Sequence, residues 1–202
     1  MLCSANELNP QRQDSSCWVQ PTALLLALLL FAGSASSDNH LIGFKVIEAT
    51  SHSRQGQRLV DAQVSFNFST DAKEALENGV AMTVFVDTEI RTQGLFWTST
   101  IASKRTGRRI QIHALSKQYR VKNLYTGQSN TYRSFTDMTD NIGLIKNLPL
   151  ADESLLEPGK SYQLRVRAIL DIESLPSPLR PLAYISSAWQ LSSGWTTWPV
   201  QL

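Results

Sequence analysis

Alternation of apolar and polar side chains constrains this chain more than any other feature. Val60, Ala62, Val64, Phe66 and Phe68 interleave with Asp61, Gln63, Ser65 and Asn67. A period of two sends the two sets to opposite sides of an extended strand, so one face is buried and the other is wet. The same period returns at Met82, Val84, Val86 and Ile90, against Thr83, Phe85, Asp87 and Glu89. It returns again at Tyr162, Leu164, Val166, Ala168 and Leu170, against Gln163, Arg165 and Arg167. Strands that are polar on one side indicate antiparallel sheets, because parallel strands are usually apolar on both faces.

The remaining chain divides at turn and cap signals. A less regular strand is expected from Leu41 to Ala49, with Ser51–Gly56 as its polar exit. Asp71 and Glu74 have capping-box spacing for a short helix, Ala72–Glu77, that Asn78-Gly79 ends. Leu95–Ser103 and Arg109–Ala114 read as a hairpin around Thr106-Gly107. The apolar phase slips after Ala114, from Ile110 and Ile112 to Leu115, Tyr119 and Val121, which reads as a β-bulge or a bend between sheets. Thr126-Gly127 marks a turn before a strand from Asn130 to Phe135. Thr136 is placed to cap a second short helix through Ile145, ended by Asn147-Leu148-Pro149. Pro158-Gly159 reads as a type II turn. Seven or eight strands with two short helices predict a mainly β fold, an antiparallel β-sandwich of immunoglobulin- or fibronectin-like architecture.

A different kind of sequence precedes the strands. Thr22–Ala32 reads TALLLALLLFA, followed by Gly33-Ser34-Ala35-Ser36-Ser37. A short apolar run followed by small residues has the form of a secretory signal, and a permanent span needs roughly 20 apolar residues. The expected organisation is a signal peptide over residues 1–35, cleaved after Ala35, and one domain over 36–202. Sec-type export then places the domain in the periplasm or another extracytoplasmic space. The residues before the run carry only Arg12 against Glu7 and Asp14, so retention on the membrane by an uncleaved signal is the alternative.

Cys3 and Cys17 both precede the run. The exported domain therefore lacks a disulfide framework, a thiolate metal site and a cysteine nucleophile. No Cys follows the run to accept a lipid. After residue 35 the chain has 18 Lys+Arg (19 less Arg12) against 15 Asp+Glu (17 less Glu7 and Asp14), a net +3. That balance does not point to nucleic acid, whose partners carry a strong basic excess.

Catalytic constellations are hard to assemble from these residues. His40, His52 and His113 are the only histidines, and no Gly-x-Ser-x-Gly elbow, metal-ligand spacing or phosphate-binding glycine loop accompanies them. Asp87 and Glu89 share a strand face and are the best carboxylate pair, with Arg91 in phase to neutralise them in part. Asp152-Glu153 precedes a turn, and Asn67-Phe68-Ser69 has the form of a glycosylation sequon. No cofactor or metal is expected.

Two surfaces offer recognition instead. Lys104, Arg105, Arg108 and Arg109 would project together from a hairpin tip at Thr106-Gly107, able to meet lipid phosphates or an acidic partner. The tail holds Trp189, Trp195 and Trp198. Trp189 has strand phase with Leu191 and is expected in the core. Trp195 and Trp198 divide between core or edge cover and partner contact. Arg165 and Arg167 are expected to face solvent or ion-pair.

Several segments, taken in order, resemble a known family. They are Ala75-Leu76-Glu77-Asn78-Gly79-Val80, Phe96-Trp97, Tyr119-Arg120-Val121, Leu164-Arg165-Val166-Arg167 and Leu175-Pro176 with Pro178-Leu179-Arg180. The last are Trp189-Gln190-Leu191-Ser192-Ser193-Gly194-Trp195 and Trp198-Pro199. Over roughly Leu41 to Val200 the chain resembles DUF4390, a proteobacterial family of exported proteins of unknown function. The resemblance implies an extracytoplasmic domain with no assigned activity and no catalytic residues to carry over. It also implies a gene encoded beside that of a membrane sensor kinase of the nitrogen-regulation type. The function expected is that of a non-enzymatic envelope accessory docking on a membrane protein such as a sensor kinase outer domain. The alternative is a small-ligand or lipid-binding periplasmic domain, which requires an apolar cavity. Membrane contact is expected to be at most peripheral, or through an uncleaved leader.

Overall fold

The computed structural model describes residues 43–94 and 97–202. The leader expected over 1–35, both cysteines and His40 lie outside the described residues. The elements run β1 (Gly43–Arg54), β2 (Gln57–Asn67), α1 (Thr70–Glu77), β3 (Met82–Thr92), β4 (Thr100–His113), β5 (Gln118–Asn123) and β6 (Ser129–Tyr132). They continue with α2 (Phe135–Gly143), β7 (Leu144–Asp152), β8 (Tyr162–Leu170), α3 (Arg180–Ile185) and β9 (Thr196–Val200). The strands form two antiparallel sheets, ordered β1-β2-β7 and β6-β5-β4-β3-β8-β9. The expected mainly β sandwich is present, its strands divided three and six.

Period-two alternation carried through to burial. Val60, Val64 and Phe66 of β2, Val84, Val86 and Ile90 of β3, and Leu164, Val166 and Ala168 of β8 are all buried. Fully burying an aliphatic side chain of this size contributes about 1.5–3 kcal/mol, so these faces drive the two sheets together. An aromatic chain extends the core toward one end. Phe44 meets Phe66 edge-on at 4.8 Å, Phe68 meets Phe135 at 5.7 Å, and Phe135 meets Tyr119 at 5.8 Å. These contacts tie β1, β2, α2 and β5 together.

The helices begin earlier than their capping signals suggest. Ser69, not Asp71, caps α1: its Oγ accepts from the Ala72 N–H at 3.1 Å and donates to the Ala188 carbonyl at 2.6 Å. The end follows expectation. Gly79 has φ +91°, with bonds from Gly79 N–H to Leu76 O and from Val80 N–H to Ala75 O closing a Schellman motif. Ser134 rather than Thr136 caps α2, through the Asp137 N–H at 3.0 Å.

Three expectations about turns need correction. Thr106-Gly107 is no turn, because β4 runs straight through it. Gly107 is small because Phe85 lies across it: a Cβ there would come within 2.7 Å of the Phe85 ring. The phase slip after Ala114 is a hairpin turn, with Lys117 at φ +54° and its N–H bonded to His113 O. Asn147-Leu148-Pro149 lies within β7, where Asn147 at φ +51° donates its N–H to Asp61 Oδ1. Register shifts in β7 and a proline on a sheet edge hid that strand from a period-two reading. Beyond these, the segment carrying Pro176, Pro178 and Pro181 contains α3, whose Pro181 occupies the first turn.

Candidate functional site

The outer face of the six-stranded sheet gathers residues that lie far apart in sequence. Asp87 of β3 stands directly opposite Arg105 of β4 on one side and Arg167 of β8 on the other. Arg105 grips the carboxylate in a fork, Nε to Oδ1 at 2.6 Å and Nη2 to Oδ2 at 3.0 Å. Arg167 Nη2 donates to Oδ2 at 2.6 Å. One register step along, Arg165 Nη1 lies 3.8 Å from Glu89 Oε2. Burial alone would raise the Asp87 pKa, but the hydrogen bonds and charges of Arg105 and Arg167 outweigh it. The carboxyl is held below its ordinary value, and Arg105 is held above its own by the same bond.

Trp195 completes the cluster from the segment entering β9. The Arg165 and Arg167 guanidiniums lie 4.6 and 4.7 Å from its ring, and Arg105 lies 5.1 Å from the Phe85 ring. Such stacking fixes long side chains over aromatic faces and contributes about 0.5–1 kcal/mol per exposed contact. Between these groups lies a depression of about 200 Å³, lined by Asp87, Glu89, Ser103, Arg105, Arg167 and Trp195 among others. It is smaller than a pocket for a drug-sized ligand and suits a side chain or a small polar group.

Strand alternation splits the sequence-derived candidates. Arg105, Arg109 and Trp195 stand on the outer face, whereas Lys104, Arg108 and Trp198 turn inward. The four cations therefore do not project together. Lys104 Nζ donates to the Pro149 carbonyl at 2.8 Å and to Tyr125 Oη at 3.1 Å. Arg108 Nη2 reaches the Leu144 carbonyl at 3.4 Å, and burial draws its pKa below the ordinary guanidinium value. Both fasten β4 to the edge strand β7 of the other sheet. Trp198 stands opposite Leu164 and packs on the core, as Trp189 does at 4% exposure.

The carboxylate pair is neutralised across strands by Arg105, Arg167 and Arg165, not by Arg91 along its own strand. A general acid for glycoside cleavage needs a raised pKa, and Asp87 is shifted the opposite way. His113 Nδ1 lies 3.2 Å from Ser116 Oγ within its own hairpin turn. Glu153 pairs with the buried Arg58, whose Nη1 also donates to the Gln201 carbonyl at 2.9 Å. No group of three metal-ligating side chains occurs among the described residues. The role of Arg167 could be foreseen only by phase, since its partner depends on a register that no local pattern specifies.

No curated protein and no solved structure matches this chain. The family model of DUF4390, a domain of unknown function, matches residues 43–199, and the chain belongs to that family.

Proposed function

We propose that this chain is an exported, non-enzymatic interaction domain of the cell envelope. It docks on the outer domain of a membrane protein through the outer face of its six-stranded sheet. The observation that carries the reading is the convergence of Arg105, Asp87, Arg167 and Trp195, drawn from four neighbouring strands or their ends, into one patch. Arginine and tryptophan are the side chains most enriched where binding energy concentrates. Here the ion pairs and stacking hold them in place before a partner arrives, which lowers the ordering cost of association. The inner faces, in contrast, are filled: Val60, Ile90, Ile110 and Val166 have 0% exposure. A domain that carries a ligand between its sheets needs space there.

The test is capture of the tagged full-length protein from cross-linked cell envelopes, with the wild type beside Trp195→Ala and Arg105→Ala. Recovery of one membrane protein, a sensor kinase being the first candidate, that both variants lose while melting normally supports the reading. Equal recovery by all three proteins removes this face as the docking surface. A protein found only in the cytosolic fraction removes the envelope reading altogether.

A further inference from the structure

Between Glu89 and Asp137 the sequence contains no carboxylate, yet it holds Arg91, Lys104, Arg105, Arg108, Arg109, Lys117, Arg120, Lys122 and Arg133. Nine of the chain's 19 Lys and Arg residues fall in this stretch, so the near-neutral total conceals a polarised molecule. The fold keeps the stretch together, because β4, β5 and β6 are consecutive neighbours at one side of the six-stranded sheet. Arg105 is taken up by Asp87, and Lys104 and Arg108 by carbonyls of β7.

Arg109, Arg120 and Lys122 have no such use. All three are exposed on the outer face, where Arg109 stands directly across from Lys122 and Arg120 stands across from Gln111. Like charges directly opposite on neighbouring strands weaken a sheet, and none of the three forms an ion pair among the described residues. Ser129 and Thr131 of β6 face Lys122 and Arg120, adding hydroxyl donors. Arg109, Gln111, Arg120, Lys122, Gly127 and Ser129 line an open depression of about 320 Å³. Three cations, an amide and hydroxyls without a carboxylate form a donor set matched to phosphate oxygens.

The adjoining hairpin tip adds a second, independent feature. Leu115 lies in the β4–β5 turn at 92% exposure, beside Lys117. A single apolar side chain presented at a tip, with cations following along the same hairpin, matches a bilayer's apolar interior beneath its phosphates. We infer that the β4–β5–β6 face binds the phosphates of an anionic lipid surface, with Leu115 entering the head-group boundary. This site is separate from the Trp195 patch and does not rest on it.

The experiment is vesicle flotation with the full-length protein, comparing phosphatidylcholine alone with equal parts phosphatidylcholine and phosphatidylglycerol. The ratio of the two affinities cancels any charge-independent binding by the apolar run at residues 22–32. Each cation near such a surface contributes about fivefold. The triple variant Arg109→Gln, Arg120→Gln, Lys122→Gln therefore lowers that ratio by about a hundredfold, and added salt lowers it for the wild type. Leu115→Ser weakens anionic-vesicle binding but preserves its salt dependence. Trp195→Ala leaves the ratio unchanged, which separates this site from the docking patch. A triple variant that floats like the wild type overturns the inference. Full displacement by inorganic phosphate at matched ionic strength also overturns it, since the site would then take a free anion and not a surface.

Discussion

Asp87→Asn removes the one negative charge held between two guanidiniums and keeps the side chain's shape. Its cost can be worked from exposure. The Arg105 side chain is 55% exposed, so that pair is weighed as a surface pair, at about 0.5–1 kcal/mol. The Arg167 bond meets a carboxylate side chain only 10% exposed and counts as a charge-assisted bond of about 1.5–2 kcal/mol. The sum is about 2–3 kcal/mol. With a urea slope of about 2 kcal/mol/M, the unfolding midpoint falls by about 1–1.5 M. The pH dependence follows from the direction of the shift. The folded Asp87 has a pKa below its unfolded value, so its contribution is complete above that unfolded value, about 4. It is lost as pH falls further, through the folded value. The gap between wild type and variant should therefore be full at pH 7 and narrow below about pH 4. Urea melts across this range are the assay. A midpoint shift below about 0.3 M, or a gap of constant size down to the lowest pH, would refute the reasoning.

Gly143→Ala places a Cβ 2.1 Å from the Val64 carbonyl oxygen, a backbone atom, so α2 must lift from β2 at about 3 kcal/mol. Gly107→Ala meets only the movable ends of Phe85 and Leu124, at 2.7 and 2.9 Å, and costs about 1 kcal/mol; urea melts of the two variants rank them. Arg58→Ala strands Glu153 and loses about 3 kcal/mol, whereas replacing both partners by Arg58→Met with Glu153→Leu stays near wild type in thermal melts. Trp189→Ala empties a core position and costs about 3–5 kcal/mol, while Trp195→Ala costs about 1 kcal/mol, so only the latter yields a folded protein for binding assays.

The legible parts of the fold are those where one face is buried and the strand is regular. β2, β3 and β8 announce themselves because each places apolar side chains at every second position against a filled core. β7 does not, because Asn147 and Pro149 satisfy an edge strand with bulges as readily as they end a helix. Gly107 misleads for the opposite reason: its smallness answers to a neighbour's ring, which is a tertiary fact. The candidate site divides the same way. Phase alone puts Asp87, Glu89, Arg165 and Arg167 on outer faces, but only register decides that Asp87 meets Arg105 and Arg167. The cationic face was open to counting. The short run from Lys104 to Arg109 is conspicuous, yet half of it turns inward, and the stronger signal is the absence of acidic residues from 90 to 136.

The placement of β3 between β4 and β8 also sets an order of events. Asp87 and Arg105 are 18 residues apart, and Asp87 and Arg167 are 80 apart. The shorter loop closes at less entropic cost, so the β3–β4 hairpin can form while β8 is still unplaced. Asp87 is then bound on one side only until the distant strand docks. That order predicts that truncating Arg105 slows folding, whereas truncating Arg167 chiefly speeds unfolding, which chevron kinetics would check. A single carboxylate thus joins the earliest and the latest partners of the central strand.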